Sequence, residues 1–275
     1  MSVLKGLVIA IAMYSKIPVP QFPWKDENMH YAICFFPLVG VIIGALLTGW
    51  LLLAARLGIG VPARAVVAAL IPLIVTGGIH LDGFMDASDA LSSWMTREKR
   101  LEILKDPHIG SFAVICALML GGLYLAGSLE IAKVLEAVRQ PVGAPELFAG
   151  RSAVKLCLVW GLTFVYARAL SGLSVVIFKN AKKESTLYAF VSPAHQKKVQ
   201  TIMIAEAAVS AVLMTAVNPV RGPVLVVGGL LVFFYFRHRA FRDFGGITGD
   251  LCGWFLCLAE TVMALLLAGL LIAGV

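Results

Sequence analysis

Charged side chains are scarce in this sequence. Only 14% of its 275 residues are Asp, Glu, Lys or Arg, and 60% are hydrophobic, whereas charged residues make up about 25% of a typical soluble domain. This scarcity argues against a soluble globular protein. Several uninterrupted apolar stretches have about 20 residues, which is enough for a helix to cross a bilayer. The sequence therefore predicts an integral membrane protein.

Several patterns that would indicate other protein classes are missing. No stretch alternates apolar and polar residues as the strands of a transmembrane barrel do. No basic stretch is interleaved with aromatic residues as in a nucleic-acid surface, so we expect no nucleic-acid partner. The cysteines are odd in number and include no C-x-x-C pair. We interpret them as small core residues rather than as metal ligands or disulfides: Cys34, Cys116, Cys157, Cys252 and Cys257.

The apolar stretches predict an all-α fold, a polytopic membrane bundle of about seven transmembrane helices. An N-terminal interfacial helix is expected before Pro18 and Pro20, because proline interrupts a helix. Residues 1–275 should form a single transmembrane domain. Gly40-x-x-x-Gly44 indicates close helix packing and permits a homo-oligomer without requiring one. The predicted spans cover residues 31–54, 63–79, 109–127, 149–170, 199–217, 222–236 and 251–273.

Lysine and arginine are unevenly distributed between two sets of loops. They are frequent in the N-terminal segment and in the loops after the second, fourth and sixth predicted spans, and sparse in the alternate loops. Because cytoplasmic loops carry an excess of these residues, we predict a cytoplasmic N-terminus and an external C-terminus. Three polar motifs, in residues 77–89, 105–110 and 245–250, then open on the cytoplasmic side and can meet in one site.

The first polar motif, residues 77–89, reads GGIHLDGFMDASD. On a helix Asp82, Asp86 and Asp89 share one face within roughly 60°, and three like charges so close repel unless a cation lies among them. Mg²⁺ is the first choice, because it takes oxygen ligands from a few carboxylates and a phosphate substrate. In a soluble protein such acids usually form a solvated face. Here they follow an apolar span, where acids are usually functional, so we predict a metal or substrate site.

The third polar motif, residues 245–250, reads GGITGD. It lacks the lysine of a P-loop, so it does not indicate a nucleotidase. Gly245 and Gly246 permit close approach of the backbone to a phosphate, and Asp250 is a candidate metal ligand. A simple turn between two helices is the alternative interpretation.

Taken together, the three motifs resemble the cobalamin synthase family, the adenosylcobinamide-GDP ribazoletransferases. The resemblance extends over nearly the whole chain and includes Ile17–Pro20, Phe36–Gly40, Tyr166–Arg168 and Gly172-Leu173. This sequence departs from the family pattern after Asp250, where Leu251-Cys252 replaces the usual Thr-Leu. It also departs around Asp86, where Met85 and Ala87 replace the usual Ala and Thr. The aspartates themselves are kept.

This resemblance implies a membrane-bound, Mg²⁺-dependent transferase that acts late in cobalamin biosynthesis. The enzyme would lie in a bacterial inner membrane or archaeal plasma membrane with its active site facing the cytoplasm. It would join adenosylcobinamide-GDP to α-ribazole or α-ribazole 5′-phosphate, giving adenosylcobalamin or its 5′-phosphate and GMP. Positioning and charge stabilisation carry most phosphoryl transfers, which suits the acidic motif.

The resemblance also suggests a role for each polar residue. Four aspartates are expected to hold Mg²⁺ and to carry catalysis, with Asp250 either a ligand or the acceptor of the hydroxyl proton: Asp82, Asp86, Asp89 and Asp250. His80 is a candidate base, although a hydrogen-bonded supporting role is more usual for such a histidine. The candidate substrate-binding residues are Lys105 and Arg168 as pyrophosphate clamps, with Gly245, Gly246 and Thr248. Glu260 either pairs with Arg151 or Lys155 or is catalytic.

Two other classes remain open. A CDP-alcohol phosphatidyltransferase also clusters aspartates on membrane helices, but its D-G-x-x-A-R pattern is only partly met here, because no arginine follows Ala87. A cation-coupled transporter would favour internal repeats and acids near the middle of its spans. No repeat is visible, and the acids follow the end of a predicted span.

Overall fold

The computed structural model describes residues 2–20, 22, 31–139, 146–181 and 196–274. This part of the chain contains no β-strand, and its ten α-helices confirm the predicted all-α membrane bundle. The helices are α1 (Ser2–Tyr14), α2 (Phe36–Arg56), α3 (Val61–Thr76), α4 (Ile79–Ser92), α5 (Arg97–Ile103), α6 (Ser111–Arg139), α7 (Glu146–Ile177), α8 (Gln196–Val217), α9 (Arg221–Phe244) and α10 (Gly249–Ile272). A short 3-10 helix, Ala32–Phe35, precedes α2.

Six helices are long and apolar enough to cross a membrane, namely α2, α6, α7, α8, α9 and α10. Helices α3 and α4 pass the same test only as a pair, and they are bent by 92° at their junction. The bundle thus has six spans, or seven if the bent pair is one span, in agreement with the prediction of about seven. Helix α1, with 13 residues, is too short to span.

Helix α7 is the centre of the bundle. In the apolar stretch of α7, 78% is buried inside the bundle, compared with 22% in α6 and 28% in α8. Helix α2 packs closely against α7, because a Cβ placed on Gly40 or on Gly44 would lie 2.6 Å from a carbonyl oxygen of α7. The predicted close-packing role of Gly40-x-x-x-Gly44 is therefore confirmed.

Three helices extend further than predicted: α6, α9 and α7, which runs to Ile177 although its span was predicted to end at residue 170. Helix α6 continues to Arg139, although residues 128–148 were predicted to be a loop. The charges there do not break the helix, because Glu130 and Lys133 pair along one face. The first proline after the start of α6 is Pro141, beyond the end of the helix. Residues 140–145 of the predicted loop lie outside the described residues.

Helix α9 likewise extends through residues 237–244, which were predicted to be loop. Its last turn is held by the buried carboxylate of Asp243, which accepts bonds from Arg239 at 2.6 Å and Arg242 at 3.1 Å. Arg100 of α5 also donates to Asp243, at 2.9 Å. One carboxylate therefore ties the short helix α5 to the end of α9. All five cysteines are free, and three of them, Cys34, Cys157 and Cys252, are buried.

Candidate functional site

Two consecutive glycines make the sharp corner between α3 and α4. Gly77 and Gly78 both have left-handed backbones, with φ of 64° and 80°, a conformation that favours glycine. Both N–H groups donate to the carbonyl oxygen of Leu73. These two hydrogen bonds close the C-terminal end of α3. Because of this corner, the more polar helix α4 runs in a different direction from the apolar helix α3.

Helix α4 carries the three predicted acids, as the sequence indicated. Asp82 is exposed, whereas Asp86 and Asp89 are half-buried. The small residues of the adjoining strip are buried: Gly83, Ala87 and Ala90. The helix therefore packs through small side chains and keeps its acids on the neighbouring face.

The small residues bring α4 into backbone contact with the start of α10. A Cβ on Gly83 would lie 2.9 Å from the Cα atom of Asp250, and one on Gly253 would lie 2.8 Å from the carbonyl oxygen of His80. Asp250, remote in sequence, thus lies beside the acids of α4. The charges of Asp82, Asp250 and Asp89 all act on the Asp86 carboxylate, so the four acids lie near one another around one space.

The loop before α6 completes one side of this space. A Cβ on Gly110 would collide with the carboxylate of Asp89 as it now lies, so this glycine leaves room for that acid next to the start of α6. In the same loop, the backbone N–H of His108 donates to Asp106 at 3.0 Å and its ring nitrogen lies 2.7 Å away. These bonds hold the pKa of Asp106 below its usual range. Lys105 is exposed in this loop.

The segment 245–250 connects α9 to the acids and is fixed at both ends. Gly245 ends α9 with φ of 77°. Ile247 donates to the carbonyl of Lys179 and accepts from the N–H of Ala181, both at 2.9 Å. Thr248 caps α10, because its hydroxyl oxygen accepts the N–H of Leu251 at 3.2 Å. Asp250 follows in the first helical turn.

That position suits a carboxylate, because the start of a helix favours negative charge. The predicted substrate contacts of Gly245, Gly246, Thr248 and Lys105 stay predictions. Gly246 itself packs against the backbone of residues 179–181, where a side chain would not fit.

Arg168 and Glu260 form a second charged centre, which lies deeper in the bundle. They pair at 2.7 Å, with side chains only 1% and 12% exposed. Glu260 follows Asp250 by ten residues on α10, which is about 15 Å along a helix. The partner of Glu260 is therefore Arg168, and not Arg151 or Lys155, the two basic residues of α7 considered from sequence. The clamp role predicted for Arg168 stays a prediction, and its guanidinium already has an acidic partner within the chain.

His80 lies between the two charged centres. Its ring meets Phe36 edge to face, with centroids 5.6 Å apart, and its Nε2 atom is buried without a hydrogen-bond partner among the described residues. The residue also lines an apolar cavity of about 250 Å³ that reaches Arg168 and Glu260. Its predicted role as a base stays a prediction.

The donor set of the acidic site fits a hard divalent cation, because carboxylate oxygens are the ligands that Mg²⁺ takes. Across the described ranges, however, no group of three or more His, Cys, Asp or Glu side chains is arranged to hold a metal ion. The four aspartates therefore offer suitable ligands around one space, and their side chains would have to converge further to bind Mg²⁺ together.

The fold and the site define a polytopic helical membrane protein with a cluster of carboxylates beside a helix corner. The chain belongs to the cobalamin-5-phosphate synthase family, whose family model matches residues 6–268.

Curated relatives match almost the full length of the chain. The adenosylcobinamide-GDP ribazoletransferase of Lachnoclostridium phytofermentans is 38% identical over 95% of this chain and 92% of the relative. Proteins of the same name from Chlorobaculum tepidum and Clostridium botulinum are 30% and 27% identical, covering 96% and 95% of this chain and 95% and 96% of their own lengths. No solved structure matches.

Proposed function

We propose that this chain is an adenosylcobinamide-GDP ribazoletransferase. It joins adenosylcobinamide-GDP to α-ribazole or α-ribazole 5′-phosphate and releases GMP. The observation that carries the proposal is the proximity of Asp82, Asp86, Asp89 and Asp250 to one another in a member of this family. Family membership favours this reaction over the CDP-alcohol enzyme and the transporter.

In this reaction the ribose 3′-hydroxyl of α-ribazole attacks the phosphorus attached to the cobinamide side. The new P–O bond forms as the bond to the bridging oxygen breaks, and GMP leaves with that oxygen. Asp250 accepts the hydroxyl proton, and His80 is the alternative acceptor. When bound by the aspartates, Mg²⁺ supplies charge neutralisation for the leaving phosphate.

The remaining residues of the site position the substrates. Gly83 and Gly253 keep Asp250 next to α4, and Gly110 leaves room for Asp89. Lys105, exposed in the adjoining loop, is the proposed contact for the pyrophosphate, and Gly245, Gly246 and Thr248 are proposed to border it. Fixed groups of this kind lower the barrier because they need no reorganisation during the reaction.

We place the site on the cytoplasmic side of a bacterial inner membrane or archaeal plasma membrane. The support is the concentration of basic residues near it, including the helix Arg97–Ile103 and the end of Arg221–Phe244, since cytoplasmic segments are rich in Lys and Arg. Both substrates would then reach the site from the cytosol.

The test is product formation by the purified chain in detergent. Adenosylcobinamide-GDP is supplied with α-ribazole or with its 5′-phosphate, in Mg²⁺ or in excess EDTA. GMP is measured by chromatography and the corrinoid product by mass spectrometry. We expect equal amounts of GMP and cobamide in Mg²⁺ and none in EDTA. A folded, monodisperse protein that forms no cobamide with either substrate would refute the proposal.

A further inference from the structure

A cavity of about 510 Å³ lies between the N-terminal segment and the corner where α3 meets α4. Its lining includes Ser15 and Lys16 on one side and Gly77, Gly78 and Asp82 on the other. Small-molecule sites commonly have volumes of about 300–1,000 Å³. The cavity therefore has the size of a ligand site and borders an acid of the proposed active site.

The backbone around Lys16 is fixed by hydrogen bonds. The N–H of Lys16 donates to the carbonyl of Val75 at 2.8 Å, near the end of α3. The hydroxyl of Ser15 donates to the carbonyl of Ile11 at 2.6 Å and accepts the N–H of Ile17 at 3.3 Å. Because the segment is already ordered, a ligand that binds there loses little affinity to ordering it.

The side chain of Lys16 crosses the corner at Gly77. A Cβ on Gly77 would lie 2.9 Å from Cδ of Lys16 and closer still to Cγ and Cε. The glycine thus serves two purposes: it adopts the left-handed backbone of the corner, and it leaves the path of the lysine open. Lys16 is held along the cavity while remaining exposed.

Lys16 and Asp82 line the same cavity without pairing with each other. Among the described residues, no ion pair joins Lys16 to an acid or Asp82 to a base. A phosphate group suits both sides of this space, because an ammonium group binds it directly. On the other side, the phosphate meets Asp82, and the Mg²⁺ proposed to bind there would also take phosphate oxygens.

We infer that this cavity binds the diphosphate of the GDP-activated substrate and that Lys16 is a phosphate ligand. The inference rests on the proposed transfer reaction and adds a residue to its substrate site. A phosphate in a lipid headgroup has the same chemistry, so the experiment must separate the two sources.

The first test compares GDP binding by Lys16→Gln and Lys5→Gln in the full chain, by calorimetry in neutral detergent with Mg²⁺. Lys5 lies on α1 outside the cavity lining, so its variant makes the same charge change elsewhere. We expect Lys16→Gln to raise the Kd of GDP about tenfold and to leave that of guanosine unchanged. Lys16→Arg should stay within about threefold of wild type, because it keeps the charge. A Kd within twofold of wild type in Lys16→Gln, or an equal loss in Lys5→Gln, would overturn the inference.

The second test needs no variant. The wild-type protein is acetylated by an amine reagent, and Lys16 and Lys5 are followed by mass spectrometry with GDP, with phosphatidylglycerol, or with neither. We expect GDP to protect Lys16 but not Lys5. Protection by phosphatidylglycerol alone would assign the cavity to a lipid headgroup and overturn the inference.

The outcomes also separate this inference from the proposed function. Lys16-dependent binding of GDP in a protein that forms no cobamide would refute the transferase and keep the phosphate site. If Lys16→Gln forms cobamide with an unchanged KM for adenosylcobinamide-GDP, the transferase is kept and the phosphate site is refuted.

Discussion

Two charged centres about 15 Å apart along α10 are built in opposite ways. At the deeper one, a single base meets a single acid, Arg168 with Glu260 at 2.7 Å. At the other, the charges of Asp82, Asp89 and Asp250 act on Asp86, and no ion pair joins the three acids of α4 to a basic residue in the described part of the chain. The first centre pairs its two charges within the protein, whereas the second brings like charges together, and we propose that a bound Mg²⁺ relieves their repulsion.

The difference indicates which charges serve the fold and which serve the ligand. A buried charge whose partner is removed costs several kcal/mol, because the remaining charge is left desolvated. A cluster of like charges does the reverse, since removing one charge relieves repulsion. Stability and activity should therefore respond in opposite ways at the two centres, and variants can break or sharpen this contrast.

The largest effect on stability is expected from Glu260→Gln. It leaves the guanidinium of Arg168, 1% exposed, without its acid, and we expect a loss of about 3–5 kcal/mol. Thermal unfolding in detergent should show a clearly lower Tm. The double variant Glu260→Gln with Arg168→Gln should recover part of the loss. A Glu260→Gln protein as stable as wild type would contradict the claim that the Arg168–Glu260 pair stabilises the fold.

The largest effect on activity is expected from Asp86→Asn. The substitution removes the acid that interacts with the other three, and the rate of GMP release should fall by about 100-fold or more. The Tm should stay the same or rise, because repulsion is relieved. Glu102→Gln is the matched control, since this exposed acid of α5 pairs with Lys99. Equal losses of rate in both variants would contradict the account.

A smaller effect is expected from Gly83→Ala, which tests how the acids are brought together. The added Cβ would lie 2.9 Å from the Cα atom of Asp250, so α4 and α10 must separate at a cost of about 1–3 kcal/mol. GMP release should fall as Asp250 moves away. Gly269→Ala on α10 is the control, because a Cβ there meets nothing within 4 Å. If the two variants behave alike, close packing of α4 on α10 does not support the site.

The smallest effect is expected from Thr248→Ala. Loss of the bond from Leu251 to the Thr248 hydroxyl, 3.2 Å long, should cost about 1 kcal/mol and lower the Tm slightly. Thr248→Ser keeps the acceptor and should restore the Tm. An alanine variant with an unchanged Tm would show that this cap adds nothing to the start of α10.

The parts of this picture that depend on local sequence were predictable. The apolar stretches predicted the bundle, the spacing of Asp82, Asp86 and Asp89 predicted one acidic helix, and Gly40 and Gly44 predicted a close contact. These features follow from helical periodicity and side-chain size alone.

The parts that depend on tertiary contacts were not predictable. The sequence suggested Arg151 or Lys155 as partners of Glu260, and only the packing of α7 on α10 shows that Arg168 pairs with it. The end of α9 was predicted to be a loop because it is charged, whereas Asp243 binds arginines from two helices there. No sequence pattern pointed to Lys16, because its proposed role depends on a cavity that forms only where the N-terminal segment meets the corner at Gly77.

The most direct test of the central claim is metal binding at the two centres. Mn²⁺ replaces Mg²⁺ as a paramagnetic probe, and its binding to the purified chain is titrated by electron paramagnetic resonance. We expect wild type and folded Glu260→Gln to bind Mn²⁺ with similar affinity and Asp86→Asn to lose most of that binding. If Asp86→Asn binds as many ions as wild type with unchanged affinity, the acids of α4 and α10 are not the metal site.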